Sequence, residues 1–490
     1  MEMQASTLLL FAFALAPPVA AQELANVIFL EPIDKVDTSR AEVRGVTPLY
    51  RRAADPAKYM PWLENESARR ALRLYRAGYE IAHPGAGAPD YYVALVPDGN
   101  HASVGFKLQG ADKVEEHAKQ AYILLDPSPA AFASTLLHET GHVVMAMLAG
   151  GRQLDGKEVS AIPHTTAALS DRGTAFSEGY AIHLETLAAH LNHDPANLQH
   201  FHRARVRFGE GPFKEMEYFH HSSDLATFSQ SVARYLDVRD NNFAFEPAYQ
   251  GPDYLRVQME KARDFASLRS ADQLLQSEGF YASFYFLWVM RGASAASEAE
   301  IEERERRVLV AMHAMFAEDN WELSSPWLVR FAMAHMKQFP EEKAEMADAL
   351  TDLSHGVFVD ADAARLWKAH YLATLILDQK NMNIAGIGER RKKWRDAVIE
   401  DPRVLLSQVG PEIPCKLPGT KVRLEAFGED SPVIFDVNTA PAGILRLVPG
   451  IGESEVAGWM EQRAKKPFAS VEDFKVRAGL RAPTLAALQF

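Results

Sequence analysis

The residues best suited to chemistry form one short segment, His138-Glu139-Thr140-Gly141-His142. Because a helix turns once in about 3.6 residues, histidines four positions apart present both imidazoles on one face, where they can share a tetrahedral ion. Glu139 lies beside them and can accept a proton from a metal-bound water. The flanking residues are apolar, so these polar groups would be costly to bury without a partner. The segment predicts one zinc ion (Zn2+) per chain; the alternative is an ordinary pair of core or surface histidines.

A zinc site with two histidines needs a further protein ligand, and the best donor is Glu178. It opens a second predicted helix and is followed by small Gly179 and Ala181, which allow two helices to approach closely. Glu185 lies seven residues further on, hence on the same face, and is predicted to hydrogen-bond a ligand histidine. His183 is a further candidate for such a supporting contact. Glu178 could instead be a carboxylate that stabilises a helix N-terminus. Weaker ligand candidates are Asp171, His164, His183 and Glu278.

HETGH followed by SEGYAIHLE resembles the gluzincin zinc metallopeptidases, especially the aminopeptidase-type pattern of an H-E-x-x-H helix and a later E-G-x-A-x-x-x-E helix. The resemblance covers about residues 90–190. It implies a zincin-like fold and peptide-bond hydrolysis, with His138, His142 and Glu178 as zinc ligands and Glu139 as the catalytic general base. Residues 143–177 form a longer connection than is usual in the aminopeptidases, and no Gly-Ala-Met-Glu-Asn signature is present, so exopeptidase specificity is not implied. The pattern assigns no electrophile; the candidates are Tyr180, His183, His164, His220 and Tyr235.

The composition limits the class of protein. The chain has 490 residues with 47% hydrophobic and 24% charged residues, which are values of a globular protein. A formal net charge of −13 argues against non-specific DNA binding, because phosphates repel an acidic surface. Cys415 is the single cysteine, so an internal disulfide and cysteine-based zinc sites are excluded.

The N-terminus predicts export. Residues 5–16 are apolar and too short to span a bilayer, but they suit the core of a signal peptide over residues 1–21. Val19 and Ala21 give the small-residue cleavage pattern, so the mature chain is expected to begin at Gln22 in the periplasm or the medium, with no membrane span after cleavage. The alternative is an apolar N-terminal helix, since the segment before the run carries Glu2 and no basic residue.

The hydrophobic patterns predict three units and a mostly helical chain. Strand-like runs (NVIFLEP, YYVALVP, SVGFKLQ, AYILLD) and helices in residues 22–200 indicate a small α+β domain. The gluzincin resemblance implies that this is a zincin-like metallopeptidase domain. Residues 201–425 show helical periodicity and are predicted to form an all-helical lobe. Residues 432–490 differ in composition from the preceding lobe and are predicted to form a small, compact C-terminal domain, which a family resemblance identifies as a helix-hairpin-helix domain.

The last unit resembles the helix-hairpin-helix modules of competence-type DNA receptors and of a minor pseudopilin of general secretion. The matching segments are DVNTAP, LVPGIG and PFASVEDF. Gly450 and Gly452 allow a tight turn whose backbone N–H groups could hold a phosphate. Seven basic residues against six acidic ones, over residues 435–490, give too little charge for sequence-independent DNA affinity. We expect a structural role or contact with an envelope protein ahead of nucleic-acid binding.

Two functions follow from these patterns. The first is an exported zinc-dependent peptidase that acts on a peptide or protein substrate. The alternative is a non-catalytic envelope scaffold, or a DNA-handling protein, that acts through its helix-hairpin-helix unit. A basic run at residues 390–395 is expected to form a solvated helix face or to meet an anionic partner.

Overall fold

The computed structural model of the chain describes residues 25–33, 47–133, 135–152, 166, 169–191, 238–247, 263–291, 297–359, 361–375, 384–412, 423–426, 433–438, 442–445 and 450–486. The predicted signal peptide, His164, His220, Tyr235 and Cys415 lie outside these residues. Helices predominate over strands, as the sequence predicts. No helix in the described ranges is both long enough and apolar enough to cross a membrane.

The N-terminal strands form a closed five-stranded barrel in the order β1-β2-β4-β5-β3. Its strands are β1 (Asn26–Pro32), β2 (Leu49–Arg52), β3 (Asp90–Leu95), β4 (Asn100–Gln109) and β5 (Val114–Leu125). β3 runs parallel to β1 and β5, whereas β1–β2 and β4–β5 are antiparallel pairs. The sequence predicts four of these strands. It misses β2, because a four-residue strand with two exposed arginines carries little apolar alternation.

Alternation along the strands divides the buried residues between two clusters. Ile28 and Leu30 of β1 join a cluster with the other strands, whereas Phe29 belongs to the larger cluster that includes the helices. The first helices of that cluster are α1 (Glu66–Ala82), α2 (Pro129–Ala133), α3 (Thr135–Leu148) and α4 (Arg172–His190). The barrel therefore presents one face to the helices that carry the predicted ligands.

The described part of residues 201–425 is mostly helical, but it also contains an antiparallel strand pair. The strands are β6 (Phe245–Pro247) and β7 (Arg263–Leu268). The helices are α5 (Ala271–Leu274), α6 (Glu278–Val289), α7 (Glu298–Phe316), α8 (Trp327–Gln338), α9 (Lys343–Leu353), α10 (Ala361–Leu375) and α11 (Ile384–Glu400). The prediction of an all-helical lobe is wrong at β6–β7, because such short strands leave little period-two signal beside long helices.

A second antiparallel pair lies at the start of the C-terminal unit. It joins β8 (Arg423–Ala426) to β9 (Val433–Asp436), so residues on both sides of position 432 belong to one hairpin. The helices that follow are α12 (Ala442–Leu445), α13 (Glu453–Lys465), α14 (Val471–Arg477) and α15 (Ala482–Ala486).

Candidate metal centre

The histidine pair lies on α3, whose residues are mostly buried between the barrel and the neighbouring helices. Thr140 accounts for part of this placement: its hydroxyl donates to the carbonyl oxygen of Leu136 and lies 2.6 Å from the hydroxyl of Tyr91 on β3. A contact between α3 and a barrel strand limits rotation of the helix about its axis. His138 and His142 are thereby held toward α4.

The third predicted ligand lies on α4, which begins after Asp171. The Asp171 carboxylate accepts hydrogen bonds from the backbone N–H of Thr174 at 2.9 Å and from its hydroxyl at 2.8 Å. This is the contact of a helix N-cap. Asp171, a weaker ligand candidate in the sequence, therefore caps the ligand helix and does not join the metal cluster.

Small residues set the distance between α3 and α4. A Cβ atom on Gly141 would lie 2.8 Å from Cδ1 of Leu184 and 3.5 Å from Cα of Ala181, so glycine permits the close approach. Ala181 lies at this contact, as the sequence suggests. Gly179 instead faces α6, where a Cβ would lie 2.6 Å from the carbonyl oxygen of Glu278.

Nitrogen and oxygen donors of three residues converge between the two helices. Nε2 of His138 lies 3.2 Å from Nε2 of His142 and 3.3 Å from Oε2 of Glu178. Nε2 of His142 lies 3.5 Å from Oε1 of Glu178. With one donor atom taken from each residue, all three lie within 4.8 Å of one another. Tetrahedral zinc binds such donors at about 2.0–2.1 Å, which sets them about 3.3–3.4 Å apart. The shortest distance of each pair is close to that size.

The other nitrogen of each imidazole also has a polar neighbour. Nδ1 of His138 lies 2.6 Å from Oε1 of Glu185. Nδ1 of His142 lies 2.8 Å from Oγ of Ser177. A carboxylate beside Nδ1 favours a hydrogen on that nitrogen, so Nε2, which faces the cluster, is the atom that would bind an ion. The structure thus places Glu185 next to His138, one of the two histidines that the sequence suggests as ligands. Sequence reasoning missed Ser177, whose one signal is its position next to Glu178.

Burial and charge act in opposite directions on these groups. Burial lowers the pKa of His138, but the carboxylates of Glu185 and Glu178 outweigh it and raise that pKa well above its usual range. Burial raises the pKa of Glu178, but both imidazoles outweigh it and hold that pKa well below its usual range. Glu178 therefore carries a negative charge at neutral pH, as a ligand for a cation requires.

Glu139 is buried beside the cluster, with 5% of its surface exposed. Burial raises its pKa to about 7, against the opposing effect of His138 and His142. Proton transfer is most effective when the pKa of the catalytic group lies near the working pH. The side chain can therefore both take up and release a proton in a neutral medium.

Two electrophile candidates are held on another face of α4. Tyr180 donates its hydroxyl to Oε1 of Glu305 at 2.6 Å, and Nε2 of His183 lies 2.9 Å from Oε2 of the same carboxylate. Two residues correspond to about 200° around a helix, so Tyr180 lies almost opposite Glu178. The structure thus directs Nε2 of His183 to Glu305 on α7, and the supporting contact with a ligand histidine stays a prediction. Glu278, a weaker ligand candidate, begins α6 and does not join the cluster.

Arg172 attaches the first turn of α4 to a distant segment of the chain. This arginine is 3% exposed, and its guanidinium donates to the carbonyl oxygens of Ser324 (3.1 Å) and Gly410 (2.9 Å) and to Asp272 (3.1 Å). Its backbone N–H donates to Oε1 of Glu412 at 2.7 Å. A carboxylate at a helix N-terminus is stabilised by the helix dipole. Residues 410–412 therefore help to position the helix that carries Glu178.

The donor set fits zinc. Two imidazole nitrogens and one carboxylate form a ligand set of known catalytic zinc sites, which leave a fourth position open. Two ring nitrogens 3.2 Å apart cannot both direct a hydrogen at each other, so at least one presents a lone pair. His138, His142 and Glu178 would hold the ion, while Glu185 and Ser177 would orient the imidazoles.

In the C-terminal hairpin, the carboxylate of Glu455 occupies the place where the sequence predicts a possible phosphate site. Glu455 accepts a hydrogen bond from the backbone N–H of Gly452 at 3.0 Å and another from the backbone N–H of Arg481 at 3.0 Å. The guanidinium of Arg481 adds a third contact at 2.9 Å. The Gly452 amide is therefore already satisfied within the unit. This arrangement favours a structural role of the hairpin over phosphate binding.

The basic run on α11 is partly paired within the protein. Arg391 contacts Asp348 at 3.1 Å and Asp352 at 3.0 Å, and Arg395 contacts Asp348 at 3.4 Å. Trp394 between them is buried. Part of the run thus attaches α11 to α9.

Comparison with known proteins gives a match in the C-terminal unit. The family model of the type II secretion system (T2SS), protein K, matches residues 435–489. It does not extend to α3 or α4. No curated protein and no solved structure matches the chain. The resemblance of the C-terminal unit to a minor pseudopilin of general secretion is thereby supported, whereas the gluzincin resemblance stays a prediction.

Proposed function

We propose that this chain is an exported zinc-dependent hydrolase of peptide bonds. The observation that carries the proposal is the triangle of donor residues His138, His142 and Glu178: the two Nε2 atoms are 3.2 Å apart, and each lies 3.3 or 3.5 Å from a different carboxylate oxygen of Glu178. Glu139 next to this triangle supports hydrolysis over a purely structural ion, because a structural zinc site needs no neighbouring base.

Each residue then has a distinct task. A zinc ion, when bound, lowers the pKa of water and polarises a substrate carbonyl. Glu139 accepts the proton of the attacking water and later delivers it to the leaving amine. Glu185 and Ser177 hold the two imidazoles in the tautomer and orientation that ligands require.

Metal content and hydrolysis together test this proposal. We expect about one zinc per purified wild-type chain, and a large loss of zinc in His138→Ala/His142→Ala and in Glu178→Gln. Glu139→Gln keeps the ligands and nearly the same volume, so zinc content and thermal unfolding should match wild type. Hydrolysis of a peptide library by this variant should fall at least about 100-fold. Exposed His83→Ala serves as the control for histidine loss.

Two results would contradict the hydrolase. Undiminished zinc in the double histidine variant would place the metal elsewhere. Zinc-loaded wild type that cleaves no peptide of the library would remove the peptidase activity while leaving the metal site standing.

The family match supports a second candidate function more directly than it supports hydrolysis. In this alternative, residues 432–490 attach the chain to a protein of the envelope or of a secretion system, and the chain works there as a scaffold. A periplasmic location suits both functions. The amides satisfied by Glu455 favour a protein partner over DNA. Envelope crosslinking that yields a protein partner for wild type and for Glu139→Gln alike would favour the scaffold, if peptide cleavage is absent.

A further inference from the structure

A cleft lies behind the ligand helix, between α1, α4 and α7. Its volume is ≈ 320 Å³, which is within the range of small-molecule pockets. Its walls are aliphatic side chains, most of them buried: Leu74, Ala77, Leu184, Leu187, Ile301 and Leu309. None of these residues belongs to the metal cluster.

The acidic groups that line the cleft already have partners. Glu302 contacts Arg73 at 2.8 Å, and Glu303 contacts Arg307 at 3.5 Å. Glu305 accepts a hydrogen bond from the hydroxyl of Tyr180 and also contacts His183. A cationic ligand such as an amine would have to displace one of these partners.

The three arginines that line the cleft differ in their ion pairs. Arg70 contacts Glu298 at 2.6 Å, and Arg73 is held by Glu302. Arg306 lines the same cleft, is exposed, and forms no ion pair within the described part of the chain. An aliphatic wall with one unpaired guanidinium suits an anion that carries an apolar chain, because the head gains charge-assisted hydrogen bonds while the chain leaves water.

We propose that this cleft binds an aliphatic carboxylate, with its head on Arg306 and its chain between α1, α4 and α7. The cleft borders the metal centre through α4: Leu184 lines it and also packs against Gly141, which lies between the two ligand histidines. The proposal does not depend on hydrolysis, and it adds a ligand site to the protein under either function.

Calorimetric titration of the full chain with decanoate tests the site. We expect saturable binding of about one decanoate per chain, and affinity at least about tenfold lower in Arg306→Gln, the usual effect of losing a charge-assisted contact. Ala77→Phe should also weaken binding, because its ring would fill the cleft. Arg52→Gln, which removes an exposed arginine of the barrel, should bind as wild type does. Decylamine should bind more weakly than decanoate.

The charge-reversal variant Arg306→Glu keeps the test decisive if Ala77→Phe does not fold, because position 306 is exposed. It should bind decanoate more weakly still. The proposal is overturned if wild type shows no saturable decanoate binding, if Arg306→Gln and Arg306→Glu bind as wild type does, or if decylamine binds more tightly than decanoate.

Discussion

At the scale of single residues, the contacts around the imidazoles favour the proposed metal centre over a simple buried salt bridge. A salt bridge of Glu178 with two histidines would need only their Nε2 atoms. In this protein both Nδ1 atoms also have a neighbour, Glu185 for His138 and Ser177 for His142. Such outer contacts set the tautomer and the ring orientation, which matter for directional coordination bonds more than for attraction between charges.

This difference predicts the effect of Glu185→Gln. The amide keeps the volume but not the charge, so His138 becomes a weaker donor and is oriented less well. We expect zinc affinity to fall by about 10–100-fold, as is typical for such outer partners. Competition with a chromophoric chelator measures the affinity. Glu80→Gln, in an exposed carboxylate paired with Arg76, is the matched control and should leave affinity unchanged. Equal affinities in all three proteins would make Glu185 an incidental neighbour.

The sequence was informative where a helix alone decides the geometry. A four-residue spacing places His138 and His142 on one face of any helix, and a seven-residue spacing does the same for Glu178 and Glu185. The sequence was not informative where a distant segment of the chain determines the contact of a side chain. Tyr180 and His183 are held by Glu305, more than a hundred positions later, and no local pattern announces that contact.

At the scale of elements, α4 is positioned by three different parts of the chain. Gly141 allows α3 to approach one side, and Gly179 allows α6 to approach another. Arg172 at the first turn connects the helix to residues 410–412. Because interiors are closely packed, a shift of any one of these neighbours displaces the helix as a whole. The sequence suggested small residues between the helices but assigned Gly179 to the wrong partner, since periodicity does not say which neighbour a face meets.

Glu455 joins two segments of the C-terminal unit through its contacts with Gly452 and Arg481, and the pH dependence of this contact can be predicted. Burial would raise the pKa of Glu455, but Arg481 and the amides of Gly452 and Arg481 outweigh it and lower that pKa to about 2. The folded-state pKa lies below the ordinary value of about 4.3, so the ionised carboxylate stabilises the unit. This stabilisation is complete at pH values above about 4.3. The stabilisation is lost as the pH falls toward 2.

Hydrogen exchange of residues 450–486 in the full chain measures this effect. At pH 7, amides of the unit should exchange faster in Glu455→Gln than in wild type. The difference should shrink as the pH falls below about 4 and vanish near the folded-state pKa. Glu461→Gln alters an exposed carboxylate of the same helix, paired with Lys465, and should match wild type throughout. Equal protection of wild type and Glu455→Gln at neutral pH would show that Glu455 does not hold the hairpins together.

At the scale of the whole molecule, the chain combines a region with a candidate metal-binding cluster and a unit that matches a secretion-system family. Glu412, which accepts a hydrogen bond from the backbone N–H of Arg172 at the start of α4, belongs to the first region. The C-terminal unit, with its β8–β9 hairpin, begins at residue 423. The segment that positions the ligand helix therefore precedes the secretion-family unit along the chain, and truncation can separate the two.

Two truncations give the last prediction. Removal of residues 423–490 takes away the whole hairpin-containing unit but spares Gly410 and Glu412, so zinc content and turnover of small peptides should stay near wild type. Removal of residues 410–490 also deprives buried Arg172 of the Gly410 carbonyl and α4 of its Glu412 cap. Loss of one acceptor of a buried guanidinium costs about 1–3 kcal/mol, so zinc retention and thermal stability should both fall. Metal analysis, peptide hydrolysis and thermal unfolding of the three proteins side by side provide the measurement. If removal of residues 423–490 alone already causes loss of zinc, the C-terminal unit contributes to the metal centre directly, and the two regions are not separable.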